Sequence, residues 1–251
     1  MYPFGRGLAL LSLTTLLFAT APGCGRIGPW PEETSGTTND LNAIWGFDDQ
    51  NIWAVGSVGT ILKWNGYAWL PQASGTTAYL NDVWGSDANN VWAVGDGVIL
   101  RWTGTSWLPQ PDGETGHFET VGGTDRDNVW VGGYGSDGRP LVLRWNGAGF
   151  SAQSVDSGQP IHCLYAATPD RVFVGLGIND LARWDGTAWN VDRNTFTSTP
   201  LGMWGSDASN VWTVGGFGSI ARWNGVSWTR QTSPNGNYLS DVFGISDGLG
   251  A

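Results

Sequence analysis

Short apolar-aromatic runs alternate with polar turn sequences along most of this chain, and the runs return in a fixed order. Leu41-Asn42-Ala43-Ile44-Trp45-Gly46-Phe47-Asp48 comes back as Leu80-Asn81-Asp82-Val83-Trp84-Gly85-Ser86-Asp87, and then as Met203-Trp204-Gly205-Ser206-Asp207. Weaker copies are Val121-Gly122-Gly123-Thr124-Asp125 and Leu164-Tyr165-Ala166-Ala167-Thr168. A second run recurs as Ile52–Gly56, Val91–Gly95, Val129–Gly132, Val172–Gly175 and Val211–Gly215. A third motif, Lys63-Trp64-Asn65-Gly66-Tyr67-Ala68-Trp69, has counterparts ending at Trp107, Phe150, Trp189 and Trp228. Runs of this length suit strands, and Asn-Gly between two of them signals a hairpin because both residues tolerate positive φ.

The repeat spacing is 38 or 39 residues, with one step of 43 caused by an insertion between Tyr134 and Leu141. Four strands in about 40 residues make a β-propeller blade. In the first repeat the strands are expected at Leu41–Phe47 (A), Asn51–Gly56 (B), Thr60–Trp64 (C) and Ala68–Gln72 (D). The expected fold is therefore all-β, a propeller with blades at 41–79, 80–117, 118–160, 161–199 and 200–238. A partial blade follows at 239–251, where Leu239–Gly244 reads as a sixth A strand. Residues 29–38 match the end of a repeat, Trp30 lying one period before Trp69, so a lone D strand is expected there. With strands B and C of that last blade missing, the expectation is a fragment of a ring of six or more blades.

The first residues read as an export signal. Arg6 precedes an apolar run from Leu8 to Ala19, too short to span a bilayer as a mature helix. Gly23-Cys24 follows and resembles a bacterial lipobox, although Ala21 stands where leucine is usual. Residues 1–23 are then a lipoprotein signal peptide, Cys24 the lipidated residue and membrane anchor, and 24–28 a short linker. The implied location is the bacterial outer membrane or periplasm, with plain secretion as the alternative. Lipidation of Cys24 leaves Cys163 as the remaining thiol, so no intrachain disulfide is expected.

Composition narrows the functions. The 251 residues include 39 glycines and 17 tryptophans, and the net charge is −10. That mix suits many short strands and tight turns. The acidic balance excludes nucleic acid, whose phosphates need a basic footprint. The repeated Trp-Gly-Ser-Asp, Asn-Val-Trp-Ala-Val-Gly and Arg-Trp-Asn-Gly elements over Trp30 to Gly244 resemble bacterial propellers of the WD40/YVTN/BNR-like class. They are similar to tryptophan-rich myxobacterial lipoproteins and, more distantly, to photosystem II assembly-factor propellers. The resemblance implies fold; propellers host binding, scaffolding and catalysis alike. The sialidase Asp-box is met only in outline at Asp185-Gly186-Thr187-Ala188-Trp189.

Candidate chemistry is sparse. The tryptophans are expected to fill the wedges between blades rather than stack on sugars. Asp48, Asp87, Asp125 and Asp207 are expected to fix A–B turns. Lys63, Arg101, Arg144, Arg183 and Arg222 are expected to lie on neighbouring tryptophans or to pair with a turn aspartate. His117 and His162 form no zinc motif, adjacent His162 and Cys163 point to opposite strand faces, and no cofactor fingerprint occurs. No metal, cofactor or catalytic residue is assigned. Blade-specific departures from the repeat carry the site expectation. B–C and D–A loops share a face of a propeller, which gathers His117, Tyr134, Asp137, Arg139 and His162 into a polar ligand-binding patch, with Asp112 and Glu114 in the link nearby. The expected function is non-enzymatic binding or scaffolding at the cell envelope, with a protein or glycan partner. The alternatives are a lectin-like module, with one site per blade, and a glycan hydrolase or lyase.

Overall fold

The structure is a computed structural model and describes residues 33–111, 113 and 116–244. The signal segment, Cys24, Trp30, Asp112 and Glu114 lie outside the described residues. Five antiparallel sheets each hold four strands in sequence order. The first contains β1 (Leu41–Asp48), β2 (Asn51–Gly56), β3 (Ile61–Trp64) and β4 (Trp69–Gln72). The second contains β5 (Leu80–Asp87), β6 (Asn90–Gly95), β7 (Val98–Trp102) and β8 (Trp107–Pro109). The third contains β9 (Gly116–Asp125), β10 (Asn128–Gly135), β11 (Pro140–Trp145) and β12 (Phe150–Gln153). The fourth contains β13 (Ile161–Thr168), β14 (Arg171–Leu176), β15 (Asp180–Trp184) and β16 (Trp189–Asp192). The fifth contains β17 (Pro200–Asp207), β18 (Asn210–Gly215), β19 (Ile220–Trp223) and β20 (Trp228–Gln231). The A strands β1, β5, β9, β13 and β17 lie side by side around a central channel.

Among the described residues one aromatic contact repeats at the four junctions between successive blades. The strand B ring of each blade enters the aromatic pair that the next blade presents on its C–D hairpin. Trp53 meets Trp102 at 5.0 Å and Trp107 at 5.3 Å, and Trp92 meets Trp145 at 5.2 Å and Phe150 at 5.7 Å. Trp130 meets Trp184 and Trp189, and Phe173 meets Trp223 and Trp228, the second contact edge-on in each case. Trp53, Trp92 and Trp130 are 0% exposed. Edge-to-face contact suits the ring quadrupole, and burial of such large rings removes apolar area from both blades at once.

A second contact explains the Trp-Gly pair of strand A. A Cβ built on Gly85 would meet the Trp45 ring of the preceding blade at 3.0 Å, and one on Gly123 would meet Trp84 at 2.7 Å. Gly205 stands in the same way against Tyr165 at 2.5 Å. Each strand A aromatic thus lies over the next blade's glycine, where no side chain fits. The third blade has Gly122 at the aromatic position, and the fourth blade has Ala166 at the glycine position. With no large ring arriving from Gly122, the methyl of Ala166 has room. The two departures are one compensated change.

Residues 239–244 form no strand, contrary to the expected sixth A strand, because no B strand pairs with them among the described residues. They nonetheless occupy the A position. Phe243 meets Trp204 at 6.2 Å, and a Cβ on Gly244 would lie 2.6 Å from that ring.

The turns follow the expected chemistry. Asp48 Oδ1 accepts from Gln50 N–H and the Asn51 amide, both at 2.9 Å, and Asp87 and Asp125 repeat the pattern. Burial pushes these carboxyls up, but the hydrogen bonds outweigh it and hold all three below the usual range. Asp185 accepts from the N–H groups of Thr187 and Ala188, which with the Thr187 hydroxyl and Asn190 hold it far down, so the Asp-box-like segment is a structural turn. The periodic cations do lie on tryptophan, Lys63 spanning Trp53 and Trp102 across a blade junction at 4.9 and 5.7 Å. Their polar partner differs from the expected turn aspartate. Arg101, Arg144 and Arg222 donate to Asn90, Asn128 and Asn210, the residue three beyond the aspartate. In the fourth blade, where Arg171 replaces that asparagine, Arg183 turns to Asp192 at 2.7 Å.

The strand A rule predicts that Gly123→Ala costs about 1–3 kcal/mol, because the added Cβ would press on both Asn128 O and the Trp84 ring. Ala166→Gly, on the uncrowded side, should cost under about 1 kcal/mol. Urea unfolding measures both; an equal loss at the two positions would contradict the rule.

Candidate functional site

A register shift leaves one residue of each A strand out of the ladder, and that residue opens on the central channel. In order these residues are Asn42, Asn81, Glu119, His162 and Leu201, with Ser240 following in the strandless segment. The channel there encloses about 410 Å³. Its wall is tied from blade to blade. The Asn42 amide donates to Leu80 O and the Asn81 amide to Phe118 O, both at 2.9 Å. One register on, Asp82 accepts from its neighbour Val83 N–H and from Val121 N–H of the third blade, each at 2.8 Å. Glu119 and His162 then meet across the junction of blades three and four, Oε2 to Nδ1 at 2.6 Å, with about a fifth of each side chain exposed.

B–C turns and D–A links share the face above this wall. Gly59 N–H of the first B–C turn donates to Ala78 O of the following link at 2.8 Å, and Asp96 N–H of the second donates to Tyr79 O at 2.9 Å. In the third blade the insertion lengthens the β10–β11 hairpin, and strand A lengthens with it. β9 starts at Gly116, two residues before the expected blade boundary, and His117 pairs with Tyr134 across the ladder. His117 is therefore a strand residue, not part of the link.

The two rings stack at 4.9 Å with planes 23° apart. The Asp96 carboxylate of the second blade contacts His117 Nδ1. On the other side Asn81 Nδ2 lies 3.3 Å from His117 Nε2. That amide also donates to Phe118 O, which fixes its nitrogen at this end. The stack borders a hollow of about 480 Å³ lined by Asp96, Gly97, Gly116, His117, Tyr134, Gly135, Ser136 and Gly138. Burial first, then the charges of Glu119 and Asp96, raise the Tyr134 phenol above its ordinary range.

The expected patch is thus divided. His117 and Tyr134 stand together in the hollow. His162 stands in the channel, reaching toward them through Glu119, whose charge Tyr134 senses. Asp137 and Arg139 sit at the exposed tip of the hairpin, 3.7 Å apart and paired with each other. Asn81, Asp96 and Glu119 were missed. Reading the second position of every repeat as a column would have found Asn81 and Glu119; nothing in the repeat marks Asp96. Cys163 is buried, while its neighbour His162 keeps about a fifth of its side chain exposed. Among the described residues no three His, Cys, Asp or Glu side chains converge to hold a metal ion.

Five four-stranded blades set around a polar channel make this chain a β-propeller. Among solved structures it is similar to one described as YCF48 bound to D1 peptide, with a TM-score of 0.46 and 17% identity over 84% of this chain and 88% of that one. It is also similar to YCF48 from Cyanidioschyzon merolae, with a TM-score of 0.44 and 15% identity over 78% and 86% of the two chains. No family model and no curated protein sequence matches the chain. The fold rests on the blades themselves.

The charges around Tyr134 yield a direct check. In a spectrophotometric titration its phenol should ionise above the usual value near 10, and Asp96→Asn should bring the ionisation down. No change on that substitution would remove Asp96 from the field at this ring.

Proposed function

We propose that this propeller is a non-enzymatic binding module that recognises a protein partner on its B–C and D–A loop face, centred on the His117–Tyr134 hollow and the neighbouring channel mouth. One observation carries the reading. The blades repeat their packing residues closely, yet the channel column holds Asn, Asn, Glu, His, Leu and Ser in succession. Residues released from the packing rule and set on one face can be specific for a single ligand.

The same reasoning weighs against a lectin with one site per blade. In blades two to five the hairpin aromatics such a module would offer are set into the junctions, and Trp102, Trp107, Trp145, Trp184 and Trp223 are 5–7% exposed.

A photo-crosslinking amino acid placed at Ser136 or Val58, on the loop face, should give protein adducts in cells. The same group at Tyr67 or Val226, on the opposite C–D turns, should give none. Adducts only from the C–D turns would overturn the reading, and glycan-array binding without protein adducts would favour the lectin.

We further infer an envelope lipoprotein anchored through Cys24, for which the Gly23-Cys24 pair after an apolar leader is the support. Multiple acyl chains would hold the module at the membrane firmly, whereas one would not. Mass spectrometry of the mature protein should find Cys24 acylated and N-terminal. An unmodified chain starting elsewhere would remove the anchor.

A further inference from the structure

Both ends of the described residues border one position in the ring, that of a sixth blade. Residues 239–244 hold its strand A place, with Phe243 on Trp204 and Val242 N–H donating to Asp241 Oδ1 at 2.8 Å, as Val83 N–H does to Asp82. Ser240 and Asn42 of the first blade line the same channel, so this position lies between the fifth blade and the first. The segment that enters the first blade repeats a D–A link bond for bond. Ser35 Oγ donates to Thr37 O at 3.2 Å and accepts from Thr37 N–H at 3.4 Å, and Ser74 does the same with Thr76 at the same distances. Gly36 and Gly75 both stand at φ 75°. Asp40 O then accepts from Ser57 N–H at 2.9 Å, as Tyr79 O accepts from Asp96 N–H.

In blades two to five, the D strand leading into such a link carries an aromatic ring with one task. Trp107, Phe150, Trp189 and Trp228 each meet the strand B ring of the preceding blade at 5.3–6.0 Å, with planes 79–90° apart. The strand B rings they meet, Trp53, Trp92, Trp130 and Phe173, are 0–1% exposed. Trp212 is the strand B ring of the fifth blade. Arg222 lies over it at 5.3 Å, but among the described residues no D-strand aromatic meets it, and it is partly exposed. Trp30 has the offset such a ring needs, five residues before Ser35, as Trp69 is five before Ser74. It lies outside the described residues, roughly 10 Å of extended chain before Glu33.

We propose that residues 29–32 form the outermost strand of a sixth blade and set the Trp30 ring edge-on against Trp212, closing the row of blades from its N-terminal side. The four junctions select the occupant, since each strand B ring there takes an aromatic ring at this offset from the link. A D strand runs from the C–D turn face to the loop face, so the chain preceding Trp30 leaves on the C–D turn face. With Cys24 acylated as inferred above, that face is held nearest the membrane and the loop face turns outward to its partner. The orientation rests on the anchor reading; the closure does not.

Benzoylphenylalanine in place of Trp30 in the full chain should, on irradiation, crosslink within one molecule to the tryptic peptide 194–222, which carries Trp212. Adducts instead on peptide 64–101, which carries the Trp64–Trp69 hairpin, or between two chains, would overturn the contact. In urea, Trp30→Ala should lower the folding constant roughly tenfold, and Trp30→Phe less, because Phe150 fills the same place in the third blade. In a Trp212→Ala background Trp30→Ala should cost little more, and additive losses would overturn the contact. If Trp212→Ala does not fold, the crosslink decides. With the acylated protein on vesicles, a lipid-borne quencher should dim a fluorophore at Val226 more than one at Ser136. Equal quenching beside an intact Trp212 crosslink would overturn the orientation and leave the closure standing. A mature protein without acyl chains would remove the anchor and the orientation together, and the closure would still be decided by the crosslink.

Discussion

The whole molecule depends on one contact, the strand B ring of each blade set into the aromatic pair of the next blade's C–D hairpin. A four-stranded sheet with both faces apolar cannot stand alone in water, and two such sheets diverging from a centre leave a wedge that small side chains do not fill. Tryptophan fills it with few rotatable bonds and a large area. The periodic cation lies over the strand B ring in four of the five blades and in three of them is held by an asparagine, which the turn aspartate positions in the second and third blades. Turn, cation and ring are consequently one assembly. The aspartate acts on the blade junction without touching it.

That dependence decides what could be read from the sequence. Strand number, order and repeat spacing were legible, because the junction imposes the same residues at the same offsets in every blade. The Asn-Gly hairpins and turn aspartates were legible for a local reason: their bonds close within a few residues. The arginine partner was misread as the aspartate because ladder register, not sequence distance, brings Arg101 beside Asn90. Gly122 and Ala166 were visible as oddities but not as a pair, since the ring-over-glycine contact that couples them crosses a blade junction. The sixth A segment was recognisable by its side chains, which do pack on Trp204, whereas strand character is a property of paired backbone and cannot be read from one partner.

The candidate site was legible to a lesser degree, and for a physical reason. Broken repeats pointed to His117, Tyr134 and His162, yet a break shows only that packing has released a position. What the released residue meets depends on the neighbouring blade. Asp96 reaches His117 from another sheet, and Glu119 reaches His162 across the next junction. Asp137 and Arg139 were drawn in by the insertion that carries them, but the insertion's effect is on the backbone: it lengthens β9 and β10 until His117 and Tyr134 pair. The loop contributes the ladder, and its charged tip turns to itself.

Asn81 links the two halves of this arrangement. Its amide nitrogen bonds to the third blade's backbone at Phe118 and touches the His117 ring, while the residue itself lines the channel beside Glu119. Asn42 makes the same backbone bond one junction earlier with no ring to meet. A structural device present in one blade has thus acquired a second contact in the next, where strand A was extended. The hollow could form only at that junction, because only there does the lengthened β9–β10 ladder bring an aromatic pair above an asparagine already fixed in direction. Specificity in this propeller arises where one blade exceeds the repeat and the regular bonds of its neighbour hold the excess in place.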